Sequence, residues 1–304
     1  MKILLLGKNG QVGWELQRAL APLGTVVALG RTGPSGLCGD LAKLDDLRTT
    51  IREIKPTVIV NAAAYTAVDR AEEDRNLADT INTEAPALLA KEARAQDALL
   101  VHYSTDYVFD GSGNRPWREL DPAAPINHYG ATKLAGEQAI QAADCRHLIF
   151  RTSWVYAARG RNFLGTMAQL IEERTSLKVI DDQVGAPTGA ELIADVTAMA
   201  LRQAQQDSEL AGIFNLAAAG ETNWYDYARF IADWLQRQNV PIKATPDRIL
   251  PIPTTAWPTP AERPLNSRLD STKLENVLKL QLPAWQKGAE RALAERRNFT
   301  KPQG

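Results

Sequence analysis

Soft metal ligands are scarce in this chain of 304 residues, which holds two cysteines, Cys38 and Cys145, and three histidines, His102, His128 and His147. None of them stands at the short spacing of a zinc site, and two distant cysteines do not make a disulfide framework. A structural zinc fold and a cystine-stapled scaffold are therefore excluded, and the thiols read as packing groups. Excess charge of one sign is missing too. The 35 Lys and Arg residues balance 36 Asp and Glu, for a formal net charge of -1. That balance gives no electrostatic case for nucleic acid or a membrane surface. Long apolar runs are absent. The first one, Ile3 to Leu6, stops at Gly7, too short for a signal segment or a membrane span. A cytoplasmic location is expected. There is no internal repeat and no low-complexity tract.

What is present is an alternation. Lys2–Leu6, Thr25–Leu29, Thr57–Val60, Leu99–Tyr103 and His147–Arg151 read as short buried strands. Between them Gln11–Leu23, Leu41–Ile54, Ala78–Gln96 and Gly130–Ala143 carry apolar residues at helical spacing. Strands separated by helices imply an α/β fold, a Rossmann-like, doubly wound parallel sheet with right-handed crossovers. Beyond about residue 153 the pattern loosens. Phe163–Arg174, Ala190–Gln205, Trp224–Gln238 and Trp285–Arg297 read as helices and Ile213–Leu216 as a short strand. The proline-rich stretch Pro246–Pro264 reads as a long irregular segment, of a kind that often carries function.

Gly7-Lys8-Asn9-Gly10-Gln11-Val12-Gly13 joins the first strand to the first helix. Glycines at Gly7, Gly10 and Gly13 permit a tight turn and let backbone approach a pyrophosphate, which the free N–H groups of the helix start then hold. Strand, glycine turn and amphipathic helix in that order form the context of a dinucleotide site. An acidic residue at the end of the second strand would hold the ribose diol of NAD. No acid occurs between Glu15 and Asp40, and Gly30-Arg31 occupies the place. Arg31 suits a 2′-phosphate, so NADPH is the expected cofactor, with NADH open. Gly39 and Asp40 are expected to end a third short strand, with Asp40 near the adenine. The small side chains Ala62, Ala63 and Ala64 would let the cofactor lie across the sheet edge.

Tyr129 and Lys133 stand four apart at the start of a helix, on one face. Reducing a ketone needs a hydride donor and a proton donor on the carbonyl oxygen. A phenol titrates near 10 when free. An ammonium beside it and an oxidised nicotinamide are expected to lower that value, so that Tyr129 delivers its proton near neutrality. Thr105, directly after the fifth predicted strand, would offer a hydroxyl to the same oxygen.

In GKNGQVG (Gly7–Gly13), VNAAAYTAVDRAE (Val60–Glu72), HYSTDYVFDG (His102–Gly111), YGATKLAGE (Tyr129–Glu137), RTSWVY (Arg151–Tyr156), DDQVGAPTGA (Asp181–Ala190) and RPLNSRLD (Arg263–Asp270), the chain resembles the extended short-chain dehydrogenase/reductases. Within them it is most similar to the dTDP-4-dehydrorhamnose reductases. The resemblance implies a dinucleotide-binding domain over residues 1–152 and roughly 185–222. A smaller, C-terminal nucleotide-sugar-binding domain is implied over roughly 153–184 and 223–304. It implies Thr105, Tyr129 and Lys133 as the catalytic group, with Asn82 on the helix behind. Gly10 to Val12, Asp40, Ala62 to Ala64 and Tyr103 would line the cofactor. Thr105, Asp106 and Trp154 would touch the sugar, and Arg263, Asn266 and Ser267 are candidates near the nucleotide or its phosphates. The implied reaction reduces the 4-keto group of dTDP-4-dehydro-β-L-rhamnose to dTDP-L-rhamnose. Some relatives form a magnesium-bridged homodimer through glutamates to which Glu15, Glu191 and Glu295 would correspond. Two other readings are an epimerase or dehydratase of the same superfamily, which keeps its NAD bound, and a non-catalytic NADP-binding regulatory subunit. Thr105-Asp106-Tyr107 lacks the Glu typical of the dehydratases.

Overall fold

The apolar alternation of the first half assembles one sheet. The computed structural model describes residues 1–300, with Ser35, Phe299 and Thr300 by backbone alone; residues 301–304, the end of the expected second domain, lie outside the described residues. The strands are β1 (Lys2–Leu6), β2 (Thr25–Leu29), β3 (Val58–Asn61), β4 (Leu99–Thr105), β5 (His147–Thr152) and a sixth at Gly212–Asn215. They lie in the order sixth-β5-β4-β3-β1-β2, all parallel. Chain order reverses between β1 and β3, which opens a crevice at their carboxyl ends, where ligands of such sheets bind.

Successive residues of each strand face opposite sides. Ile3, Leu5, Val58, Val60 and Val101 pack against helices α1 (Gln11–Leu20) and Ala190–Ala204 on one face. Leu4, Leu6, Ile59, Leu100 and Ile149 pack on the other against α2 (Leu44–Ile54), α3 (Ala85–Ala95) and α4 (His128–Ala142). Burial on both faces explains why these strands are apolar without a polar alternation.

A separate core, rich in aromatics, joins Tyr156, Leu164, Ile171, Tyr227, Ile231, Trp234, Ile249 and Trp285. It is built from helices α5 (Phe163–Glu173), Trp224–Arg237 and Trp285–Thr300. This second lobe sits on the sheet lobe near the carboxyl ends of β4 and β5. Leu274, Leu278 and Leu282, expected with the second domain, pack into the sheet core instead.

Three expectations are corrected. Ala78–Gln96 is not one helix: a short turn at Arg75–Asp79 passes into a π-helical turn, Thr80–Glu84, before α3. Asn82 is the cause. Its amide bonds the backbone of Tyr65 on both sides, at 2.9 and 3.0 Å, and the hydroxyl of Thr132 at 3.1 Å. Pro86, which has no N–H, follows in the first turn of α3. Nor do Gly39 and Asp40 end a strand. A turn at Pro34–Gly36 folds the chain back, and only an isolated bridge joins Thr32 to Cys38. Third, the irregular stretch Pro246–Pro264 contains a strand, Ile249–Ile252, paired in parallel with Leu177–Ile180. Pro251 is tolerated because this is a two-stranded sheet, where the proline nitrogen faces away from the partner.

Candidate active site

Asn127 caps α4 by accepting the Gly130 N–H at 2.8 Å, and its own amide donates to the Glu262 carbonyl at 2.7 Å. The cap fixes the first turn of α4, and with it Tyr129. Gly130 lies so close to the Tyr107 carbonyl that a Cβ there would sit 2.1 Å from its oxygen. The helix is thereby pressed onto the end of β4, which brings Tyr129 toward Thr105, whose hydroxyl donates to Asp106 Oδ1 at 3.1 Å and accepts the Tyr107 N–H at 3.2 Å. Tyr107 meets Tyr129 edge-on, with ring centroids 5.8 Å apart.

One turn along, Lys133 is buried. Its Nζ donates to the Tyr103 carbonyl at 2.7 Å and lies 3.2 Å from His102 Nε2. The other ring nitrogen, Nδ1, takes the Asn61 amide at 3.1 Å. Burial, aided by Lys133, pushes His102 well below the ordinary histidine range and keeps the imidazole neutral. Burial also lowers Lys133 to about 8, against the pull of Glu137. Among the chain's own groups, Lys133 does not depress the phenol. Burial, and then the Asp106 carboxylate, push Tyr129 up to about 12, with the Thr105 hydrogen bond opposing. The reason is geometric, because the Lys133 amine is spent on the Tyr103 carbonyl. Asp106, buried at the same strand end, is raised to about 7 by burial, against the hydroxyls of Ser267 and Thr105.

The glycine turn tests the fit of a dinucleotide. Gly7 has φ +84°, and a Cβ on it would lie 2.7 Å from the Ala63 nitrogen. A Cβ on Gly13 would lie 2.0 Å from the Gly7 carbonyl oxygen. The turn is therefore closed against Ala62 and Ala63 as only glycine allows. Helix α1 has no side-chain cap and no acid in its first turn. The amides of Gln11, Val12 and Gly13 thus begin the helix without intrahelical partners and suit phosphate oxygens. Arg31 is exposed beyond β2. Sequence reasoning missed its neighbours: a Cβ at Gly30 would lie 3.0 Å from the Asn9 amide and 3.9 Å from Lys8 Cε. Lys8 thus adds a cation at the end of β2. His102 was also missed, though it lies three residues before Thr105 on the same strand. The Tyr103 hydroxyl is used up by Thr197 at 2.8 Å, and Asp40 accepts the Ala42 N–H at 3.1 Å, closing its own turn.

Among the expected substrate residues, Trp154 stands at φ +49° and stacks on Trp224, with ring centroids 3.6 Å apart. Arg263 pairs with Asp69 at 2.8 Å and bonds Thr259. Ser267 lies against Asp106. Asn266 is not poised for a ligand. Its amide donates to the carbonyls of Ser112 and Arg115 at 3.2 and 2.8 Å, and its oxygen accepts from Arg268 at 2.8 Å. It is a strut between two loops.

The magnesium expectation finds no support in the structure. Glu15, Glu191 and Glu295 do line one cavity of about 230 Å³. Yet Glu191 is paired with Arg291 at 2.7 Å, and Glu15 with Arg18 at 3.5 Å. Among the described residues no cluster of three His, Cys, Asp or Glu is arranged for a metal. Among the same residues no helix is long and apolar enough to cross a membrane.

The chain matches the family model described as the RmlD substrate binding domain over residues 1–298. It is 51% identical to the dTDP-4-dehydrorhamnose reductase of Escherichia coli strain K12, over 93% of this chain and 94% of that one. It is 47% identical to the enzyme of that name from Burkholderia thailandensis, over 93% and 95%. Among solved structures, the dTDP-4-dehydrorhamnose reductase of Bacillus anthracis in complex with NADP superposes with a TM-score of 0.84 at 32% identity, over 97% and 99% of the chains. A UDP-glucose 4-epimerase of Thermus thermophilus, in complex with NAD, shares the fold at a TM-score of 0.81 but only 20% identity, over 98% and 99%. On the whole-chain family match and the identity shared with these reductases, the chain belongs to the dTDP-4-dehydrorhamnose reductase family.

Proposed function

We propose that the chain reduces the 4-keto group of dTDP-4-dehydro-β-L-rhamnose to dTDP-L-rhamnose with NADPH, with NADH as a poorer donor. The observation that carries this is the convergence of Thr105 and Tyr129 at the end of β4, with Lys133 one helical turn along, its Nζ held by the Tyr103 carbonyl at 2.7 Å. The cofactor supplies the hydride to the keto carbon when bound. Gly7, Gly10, Gln11, Val12 and Gly13 would hold its phosphates, Ala62, Ala63 and Ala64 would leave room for it at the sheet edge, and Lys8 and Arg31 would supply cations for a 2′-phosphate.

The rest is the work of the chain's own groups. An acid must be protonated before it can donate. Held up at about 12, the Tyr129 phenol stays protonated through the neutral range and gives its proton as the keto oxygen becomes an alkoxide. Thr105 orients that oxygen and Lys133 anchors the strand beside it. Asp106, titrating at about 7, is placed to meet a sugar hydroxyl. The second lobe, with Trp154 and Arg263 at the cleft, takes the nucleotide.

Tyr107 favours reduction over dehydration. It puts an aromatic edge against Tyr129 where a dehydratase needs a carboxylic acid. The test is a spectrophotometric assay of NADPH oxidation with dTDP-4-dehydro-L-rhamnose. Turnover is expected. Its absence, or protein that purifies with NAD tightly bound, would overturn the reading in favour of an epimerase.

A further inference from the structure

His102, on β4, stands beside the Lys133 amine and is 1% exposed. Its surroundings fix where its proton sits. Asn61, at the end of β3, accepts the Ala63 N–H on Oδ1 at 3.2 Å. That bond orients the amide, so the group turned to His102 is Nδ2, a donor, 3.1 Å from Nδ1. The buried imidazole is neutral, and a neutral ring has one N–H and one acceptor. With Nδ1 accepting, the proton is on Nε2, which faces Lys133 Nζ at 3.2 Å. Nζ already donates to the Tyr103 carbonyl at 2.7 Å. An ammonium has three donors and no acceptor, so a charged Lys133 would set donor against donor at Nε2. A neutral amine has a lone pair to receive that N–H. The bonds then run one way, from Ala63 through Asn61 and His102 to Lys133 and on to the Tyr103 carbonyl.

We infer that Asn61 and His102 are a positioning pair that disfavours the charged form of Lys133, so that His102 governs the pH range in which the reduction has its ammonium. The inference rests on the reading of the chain as a reductase whose Tyr129 gives up its proton. The titratable groups on the two elements that hold the amine are His102 and Tyr103 on β4, and Tyr129 and Glu137 on α4. Glu137 favours the charged form but is itself paired with Arg151 at 2.6 Å. The Tyr103 hydroxyl bonds Thr197. Burial works in the same direction as His102, and Lys133 is lowered to about 8. Tyr129 becomes a phenolate as its proton passes to the keto oxygen, and a cation one helical turn away favours that charge. Turnover should therefore fall as Lys133 discharges with rising pH.

The test begins with nitrogen NMR of isotope-labelled protein. Of the three histidines, His102 is identified as the one that remains in a His128→Gln/His147→Gln variant, and the shifts of its two ring nitrogens give the tautomer. The wild type is expected to carry the proton on Nε2. Asn61→Asp keeps the shape and the acceptor for the Ala63 N–H but turns the donor at Nδ1 into an acceptor. It should draw the ring proton to Nδ1 and free Nε2 to accept from an ammonium. The basic limb of the kcat profile should then move up by about one pH unit or more, a change that loss of packing alone would not produce. A proton on Nδ1 in the wild type would overturn the inference. So would Asn61→Asp protein with the reversed tautomer and an unmoved limb. The wild-type tautomer decides the pairing even if Asn61→Asp does not fold. Wild-type protein with the proton on Nε2 but no turnover of NADPH would instead bring down the reductase reading, and with it the part that His102 plays in the reaction.

Discussion

At Tyr129 a single oxygen carries the reaction. Tyr129→Phe removes that oxygen and keeps the ring, so turnover should fall roughly 100-fold or more while binding of the nucleotide sugar persists. Steady-state kinetics beside equilibrium binding will show it, and near-normal turnover would reject the assignment. Asp106 makes a second residue-scale prediction, through pH. Its folded value is raised to about 7 from an ordinary 3.8. Between those values the folded chain holds more protons than the unfolded one, so stability falls as pH rises through the window. Asp106→Asn lacks this titration. Relative to wild type it should be more stable at pH 8 than at pH 5, as read by denaturant unfolding at both values. A difference of the opposite sign would show that the carboxylate is held charged.

At the scale of elements, helix α4 joins the site to the sheet. Glu137 and Arg151, 1% and 4% exposed, pair at 2.6 Å between α4 and β5. Arg151 also donates to the Glu119 carbonyl at 3.2 Å and lies over Phe109. Glu137→Gln would leave a buried arginine without its counter-ion, at a cost of about 3–5 kcal/mol, measurable as a shifted denaturation midpoint. Gly136 lets α4 meet the π-helical turn: a Cβ there would stand 2.2 Å from the Asn82 carbonyl oxygen. Gly136→Ala should therefore destabilise by about 1–3 kcal/mol, whereas alanine in an ordinary helix interior would stabilise. The legibility of elements follows the same division. Strands β1 to β5 were readable because burial on both faces leaves its mark residue by residue. The π-helical turn was not, because the partners of Asn82 lie 17 and 50 residues away. Tyr129 and Lys133 were readable from helical spacing alone. The acidity of Tyr129 was not, since it depends on where the Lys133 amine is spent, and the hydrogen bonds of Asn266 were not, because their partners lie in a loop about 150 residues earlier.

For the whole molecule, a ligand that binds only the folded form must stabilise it. At about 100 times its dissociation constant NADPH should add about 2.7 kcal/mol, seen as a raised melting temperature, and no shift would contradict binding at the glycine turn. The two cores differ in composition, and this has a practical consequence. Of the seven tryptophans, Trp154, Trp224, Trp234, Trp257 and Trp285 follow β5, and three of these belong to or pack against the aromatic cluster. The parallel sheet owns almost no indole. Intrinsic emission will thus report on one half of the protein and far-ultraviolet dichroism mainly on the other, and the separation between the two melting curves will measure how loosely the halves are coupled.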